Sequence, residues 1–256
     1  MTSLRVVRVE IRAPVTSFRY PHFLIGRQPT FDMPPPSTIY GHVASAVGEP
    51  PPPGSFRFAY HFTYSSRGSD LEHQHVITLP AAKHPTFGSE GEQHPGSVEA
   101  TIQPHTRDFL FQPRLTLYLD DLSLAAAFLR PIFCVILGRS QDLAEIGNVE
   151  EIDLIEQTGA YLENTLLPFS YRQSLGLGVT VLMPRYVEPP PERRPHFDRF
   201  IALRDRVYAG EVQSAETLGV RRLIRREGES SCWWVDPTTP VDRGVHRGVV
   251  FHSCAP

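Results

Sequence analysis

Residues 4–12, Leu-Arg-Val-Val-Arg-Val-Glu-Ile-Arg, set β-branched apolar positions between charges and predict a strand. An irregular stretch over residues 13–36 follows, with Pro14, Pro21 and Pro29, and closes on the stiff run Pro34-Pro35-Pro36. Ser37 is the expected N-cap of a helix that runs to Gly48. In that helix Ile39, Val43 and Val47 form an apolar stripe, and Gly41, Ser45 and Gly48 a nearly bare one that lets another backbone approach. Beyond the breakers at residues 50–54, Phe56, Phe58, Tyr60, Phe62 and Tyr64 share one face of a strand. Such a row is either a base-stacking platform or core. Core is the expectation, because aromatics dominate buried area and no RNA-binding signature of the K/R-G-F/Y-G/A-F-V-x-F/Y type is present.

Residues 65–107 are rich in Gly, Ser and Pro, poor in apolar residues, and carry His73, His75, His84, His94 and His105, which reads as a long inserted loop or hairpin. Order returns at Arg114–Leu119, with Leu115, Leu117 and Leu119 on one face. Arg114, Thr116 and Tyr118 on the other form a polar face suited to phosphate and sugar contacts or simply to water. Asp120 and Asp121 are expected to cap a helix over 122–130, and Phe133–Leu137 reads as a fully buried strand. Strands are expected near 149–156 and within 174–183, a short helix through Phe200, Leu203 and Val207, and paired strands over 218–235 and 244–251.

The order strand, helix, strand, insertion, strand, helix, strand is that of a split βαβ unit. The predicted class is therefore α+β. A ferredoxin-like core spans 1–148, interrupted by the insertion, and a smaller β-rich region spans 149–256.

The 256 residues carry 25 basic and 28 acidic side chains, and among the basic ones Lys83 is the single lysine beside 24 arginines. A GC-rich coding habit accounts for much of that ratio, while arginine's planar fork also suits bidentate phosphate and base contacts. The charge is uneven. Residues 1–30 hold five arginines against Glu10, residues 120–165 nine acids against Arg130 and Arg139, and residues 185–226 ten arginines against six acids. Such sectors suit a chain with one polyanion-facing and one protein-facing side.

Three cysteines without a C-x-x-C pair argue against a disulfide framework or a zinc knuckle. With no signal-like start and no 18-residue apolar run, a cytoplasmic protein that does not enter membranes is expected. Phosphate-loop, nucleophile-elbow and H-E-x-x-H patterns are absent, Gly176-x-Gly178 lacks a third glycine, and His73-x-His75 lacks a third metal ligand.

Two blocks carry a resemblance. The first runs from Ser17-Phe-Arg-Tyr-Pro-His22 through Gln28-Pro-Thr30 and Pro34-Pro-Pro-Ser-Thr-Ile-Tyr-Gly41 to Ala46-Val-Gly48. The second is Pro113-Arg-Leu-Thr-Leu-Tyr-Leu119 followed by Leu137-Gly-Arg-Ser-Gln-Asp-Leu143. Together they resemble the CRISPR-associated Cas-five family, nearest its type I-B-like branch, over roughly residues 1–145. The resemblance implies a repeat-associated (RAMP) fold on an RRM-like ferredoxin core with a long β-hairpin inserted at 65–108, and a non-enzymatic subunit of a Cascade surveillance complex, with no catalytic residue, cofactor or metal. Such a subunit holds the 5′ handle of CRISPR RNA, caps the backbone filament, contacts the backbone subunit through a thumb hairpin, docks the large subunit, and has target DNA nearby.

The residues expected at the RNA are Arg19, Arg27, Ser37, Thr38, Tyr40, Gly41, Arg114, Gly138, Arg139 and Ser140. A helix start at Ser37-Thr38 is an anion site in its own right. For Arg139 the competing expectation is a salt bridge to the acidic region at 142–156. One branch of the family is a metal-independent endoribonuclease that cuts precursor RNA, and the pair Lys83-His84 keeps that alternative open. A scaffold that binds no RNA is a third class.

Overall fold

β1 (Ser3–Arg12) is hydrogen-bonded along both edges in the computed structural model, which describes residues 2–23, 26–78, 99–212, 222–223 and 232–255. After β1 come α1 (Pro36–Val47), β2 (Arg57–Thr63), the hairpin strands β3 (Ser66–Thr78) and β4 (Glu99–Phe111), β5 (Arg114–Leu119), α2 (Leu124–Leu129) and β6 (Glu145–Gln157). The C-terminal part adds β7 (Gly159–Leu162), β8 (Thr165–Pro168), β9 (Val179–Val187), β10 (Pro195–Leu203), β11 (Val207–Gly210) and β12 (Trp233–Asp236). The chain is a mixed α/β protein made mostly of strands.

Among the described residues one sheet has ten strands. Its centre runs β12-β6-β1-β5-β2, every neighbouring pair antiparallel. Residues 252–253 close the β2 edge. β7 and β11 extend the other end, and β8-β10-β9 form a separate three-stranded sheet. Pairing of β1 with β5 sets Val7 opposite Leu119, Val9 opposite Leu117 and Ile11 opposite Leu115. These side chains meet Phe58, Tyr60 and Phe62 of β2 and are covered by Ile39 and Val43 of α1 and Phe128 of α2. The aromatic row is thus core. Tyr60 also donates its hydroxyl to the Pro34 carbonyl at 2.8 Å, which fixes the proline run ahead of α1.

Part of the opposite face is buried as well. Val6, Ala59, Tyr118 and Leu154 pack beneath Val249 of the C-terminal segment. Asp236, fully buried, ties that segment down by accepting from Arg8 (3.0 Å), the Tyr118 hydroxyl (2.8 Å) and the Thr238 amide (2.9 Å). Burial alone would raise the Asp236 pKa, but these donors hold it below the usual carboxylate range. The expected wet face of Arg114, Thr116 and Tyr118 is therefore corrected at Tyr118, which the C-terminal segment covers.

Four further expectations change. The helix N-cap is Pro35, with Pro36 at the first helical position, where the missing N–H has no helical partner to lose, so Ser37 lies inside the first turn. α2 is shorter than 122–130: Asp121 accepts from the Ser123 amide and hydroxyl, while Asp120 holds Arg57. Residues 133–137 are a surface loop with Phe133 57% exposed, and Ile136 makes only an isolated bridge to Leu143. The fourth core strand is instead β6. It contains the strand expected near 149–156, and its acids pair across to β1 as Arg5–Glu151 and Arg8–Glu150.

Residues 200–210 are two strands, because Phe200, Ile201, Ala202 and Leu203 are all buried in the middle of a sheet rather than along one helical stripe. The boundary placed after residue 148 falls inside β6, one continuous strand. The expected tail pairing survives where it is described, as Val235 opposite Gly248 and Asp236 opposite Arg247.

Two buried histidines make stability depend on pH. His42 donates to the Ile136 carbonyl (3.1 Å) and His252 to that of Leu166 (2.9 Å), and burial lowers each pKa from 6.5 to about 4. The unfolded chain binds these protons more tightly, so stability is full above about pH 6.5 and falls as pH drops toward 4. Around pH 5 the expected loss is about 2 kcal/mol per histidine. Urea unfolding at about pH 7 and about pH 5 measures it, and His252→Gln should flatten the dependence.

Candidate nucleic-acid interface

Four segments distant in sequence converge beside the start of α1. The first is Ser17-Phe18-Arg19, which leaves a short strand at 15–16 paired to the end of β4. Phe18 is buried against Phe62 with ring centroids 5.6 Å apart, and a backbone bridge joins Arg19 to Thr30, so the Arg19 side chain stands on a fixed backbone. The second is the first turn of α1, with Ser37 and Thr38 half-buried and no acidic residue in the turn. The third is the loop 137–142 and the fourth the base of the β3–β4 hairpin.

Asp142 organises the third segment. Its buried carboxylate accepts from the Ser17 amide (3.1 Å), the Arg139 amide (3.1 Å) and the Arg139 guanidinium, Nε at 2.9 Å and Nη2 at 2.9 Å. The competing expectation for Arg139, a salt bridge into the acidic region, is what the structure shows. Gly138 has φ +99°, and a Cβ there would lie 2.7 Å from the Ser17 carbonyl oxygen and 3.0 Å from its nitrogen. Only glycine lets the loop lie this close to residue 17.

At the hairpin base, Glu72 accepts from Arg107 Nε and Arg139 Nη1, and from Gln141 Nε2 at 3.1 Å. Asp70, on the same face of β3, reaches Arg139 Nη1 at 3.4 Å. Burial pushes the Glu72 pKa up, but the two arginines more than offset it and hold the group below its ordinary value. Arg139 is driven the other way: burial would lower its pKa, and Asp142 and Glu72 raise it above the usual guanidinium value.

Ser17, Phe18, Arg19, Ser37, Thr38, Arg107, Gly138 and Arg139, with Pro35 and Pro184, line a cleft of about 310 Å³. Arg19 is exposed, and no ion pair among the described residues involves it. Five of the ten expected residues thus share one cleft: Arg19, Ser37, Thr38, Gly138 and Arg139. The others do not line it. Arg27 is 68% exposed on its side chain and pairs with Asp108 at 3.2 Å. Arg114 lies on β5 opposite Arg12 and Thr63. Tyr40 is buried against Tyr186 and bonded to the Pro51 carbonyl, and burial pushes its pKa up to about 12. Gly41 faces open space on α1, and Ser140 is an exposed neighbour of the lining residues.

Arg107 and Glu72 escaped the sequence reading, because only the hairpin register brings them to the loop at 138–142. Lys83, His84 and His94 lie outside the described residues, as does most of the basic run at 221–226. A larger cleft of about 520 Å³, lined by Thr158, Glu211 and Arg243 among others, holds none of the ten expected residues. Among the described residues, no three His, Cys, Asp or Glu side chains group as a metal site, and no helix is long and apolar enough to cross a membrane.

No family model and no curated protein matches the chain. Solved structures similar to it are CRISPR-associated proteins. One, named as a CRISPR RNA-guided surveillance complex, has a TM-score of 0.45 at 14% identity over 79% of this chain and 91% of that one. Another, the type III-B Cmr-beta bound to cognate target RNA and AMPPnP, has a TM-score of 0.44 at 10% identity over 78% and 85%. A CRISPR protein from Archaeoglobus fulgidus has a TM-score of 0.38 at 11% identity over 79% and 87%.

Gly138→Ala should destabilise the chain by about 1–3 kcal/mol through backbone strain and displacement of residue 17. Denaturant unfolding checks it, with Gly176→Ala, where a Cβ meets open space, as the control expected to change little.

Proposed function

We propose that the chain is a non-catalytic RNA-binding subunit of a CRISPR effector complex of the Cas-five type, and that the cleft at the start of α1 receives the 5′ handle of the CRISPR RNA. The observation that carries this reading is the convergence of Arg19, Ser37, Thr38, Gly138 and Arg139 with Arg107 on one cleft. Three guanidinium groups and two hydroxyls are donors, and a phosphodiester offers only acceptors. The strand order β6-β1-β5-β2, with α1 and α2 on one face and a hairpin between β2 and β5, supports the ferredoxin-like RAMP core with an inserted thumb. The matched residue blocks supply the rest of the reading: a Cascade setting, a backbone and a large subunit as partners, target DNA nearby, and a cytoplasmic location.

The helices cover one face of the central sheet and the C-terminal segment covers part of the other, which favours RNA held by loops and edges. Near the cleft, Tyr20 and Phe23 meet edge to face at 6.0 Å, and exposed Phe23 offers a ring to a splayed base.

Single-stranded RNA should bind the purified chain in a salt-dependent way. Arg19→Ala should weaken binding by about 1 kcal/mol and lower the salt slope by about one. Fluorescence anisotropy across a salt series measures both, and absence of binding at low salt would overturn the reading. Incubation with repeat RNA in EDTA tests the endoribonuclease alternative: intact RNA is expected, and a specific cut lost in His84→Ala would replace this reading.

A further inference from the structure

The arginines of this cleft already hold an anion that belongs to the protein. We propose that the Glu72 carboxylate competes with a nucleic-acid phosphate for Arg107 and Arg139, so that RNA binding and closure of the hairpin base on the loop at 138–142 oppose each other. This rests on the RNA-binding reading above and adds its regulation.

Three observations lead to it. Arg107 and Arg139 both line the cleft, their side chains only 12% and 11% exposed, and Glu72 accepts from both. The fork of Arg139 is divided in its duties. Nε and Nη2 belong to Asp142, which also holds the Arg139 amide, while Nη1 alone turns to Glu72 and Asp70. Asp142 can therefore keep Arg139 in place when Nη1 changes partner.

The third observation concerns what Glu72 joins. It sits on β3, 67 residues from Arg139, and with Asp70 and Gln141 makes the polar contact between hairpin and loop. A phosphate oxygen entering beside Nη1 meets the Glu72 carboxylate at close range, and two anions on one pair of arginines repel in a site this sheltered. The phosphate takes the guanidinium hydrogens only as Glu72 swings away, and the hairpin base loosens with it.

The test uses the full chain and a fluorescein-labelled single-stranded RNA. Glu72→Gln keeps the shape, removes the charge, and should bind about ten-fold tighter with a salt slope steeper by about one. Glu72→Asp, which keeps the charge, should stay near wild type. Asp70→Asn should give a smaller gain of the same sign. If the wild type binds and Glu72→Gln binds equally or more weakly, this inference falls and the RNA-binding reading stands. If neither binds at low salt, both fall. Hydrogen exchange on the wild type is independent of any variant's folding. Saturating RNA should speed exchange at residues 66–72 and 105–111, and slower or unchanged exchange there would overturn the proposal.

Discussion

A charge on a strand packed between two cores needs a partner, and β1 carries that constraint for the whole fold. Its apolar residues divide between two cores. Val7, Val9 and Ile11 lie beneath the helices, and Val6 lies beneath the C-terminal segment. Arg8 would be a heavy cost in such a place. It is held by Glu150 of the neighbouring strand and by Asp236 from the far end of the chain. Losing Asp236 would remove a fully buried partner from a guanidinium only 16% exposed, which is costlier than losing a surface pair.

The same rule of partnered charge shapes the cleft. Asp142 arranges Ser17, Gly138 and Arg139, and Glu72 brings the hairpin to them. Two buried arginines are divided among the carboxylates of Glu72, Asp70 and Asp142, and Arg19 stands outside that arrangement. The cleft therefore has one cation open to a ligand at once and two that a ligand must win. A weak first contact followed by a competitive second one favours a ligand with several linked phosphates over a single free anion, since only the former can hold Arg19 while it displaces Glu72.

Legibility in the sequence followed the strength of the local signal. β1, β2 and β5 alternate apolar and polar positions, and α1 is framed by prolines and Gly48, so all four were readable. β6 was readable as a strand near 149–156 but not as β1's neighbour, because its acids answer arginines on β1 and make sense only once the strands are paired. Phe133–Leu137 misled for the opposite reason, as an apolar run on a surface loop where only Leu137 is buried. In the cleft, residues within the two matched blocks could be named in advance, and Arg19, Ser37, Thr38, Gly138 and Arg139 do share it. Arg27 and Arg114 sit in the same blocks but face elsewhere. Arg107 and Glu72 belong to a hairpin whose register no motif encodes.

Arg8 and Asp236 are 228 residues apart in the chain. A ribosome adding about 5–20 residues per second needs on the order of ten to forty seconds to make the second after the first. The strand, helix and β6 partners of Val7, Val9 and Ile11 are complete by residue 157, but Arg8 still waits for Asp236 and Val6 for Val249. The central strand is finished only when residues more than 200 positions downstream arrive to cover its second face, which makes it the segment for which a chaperone would wait longest.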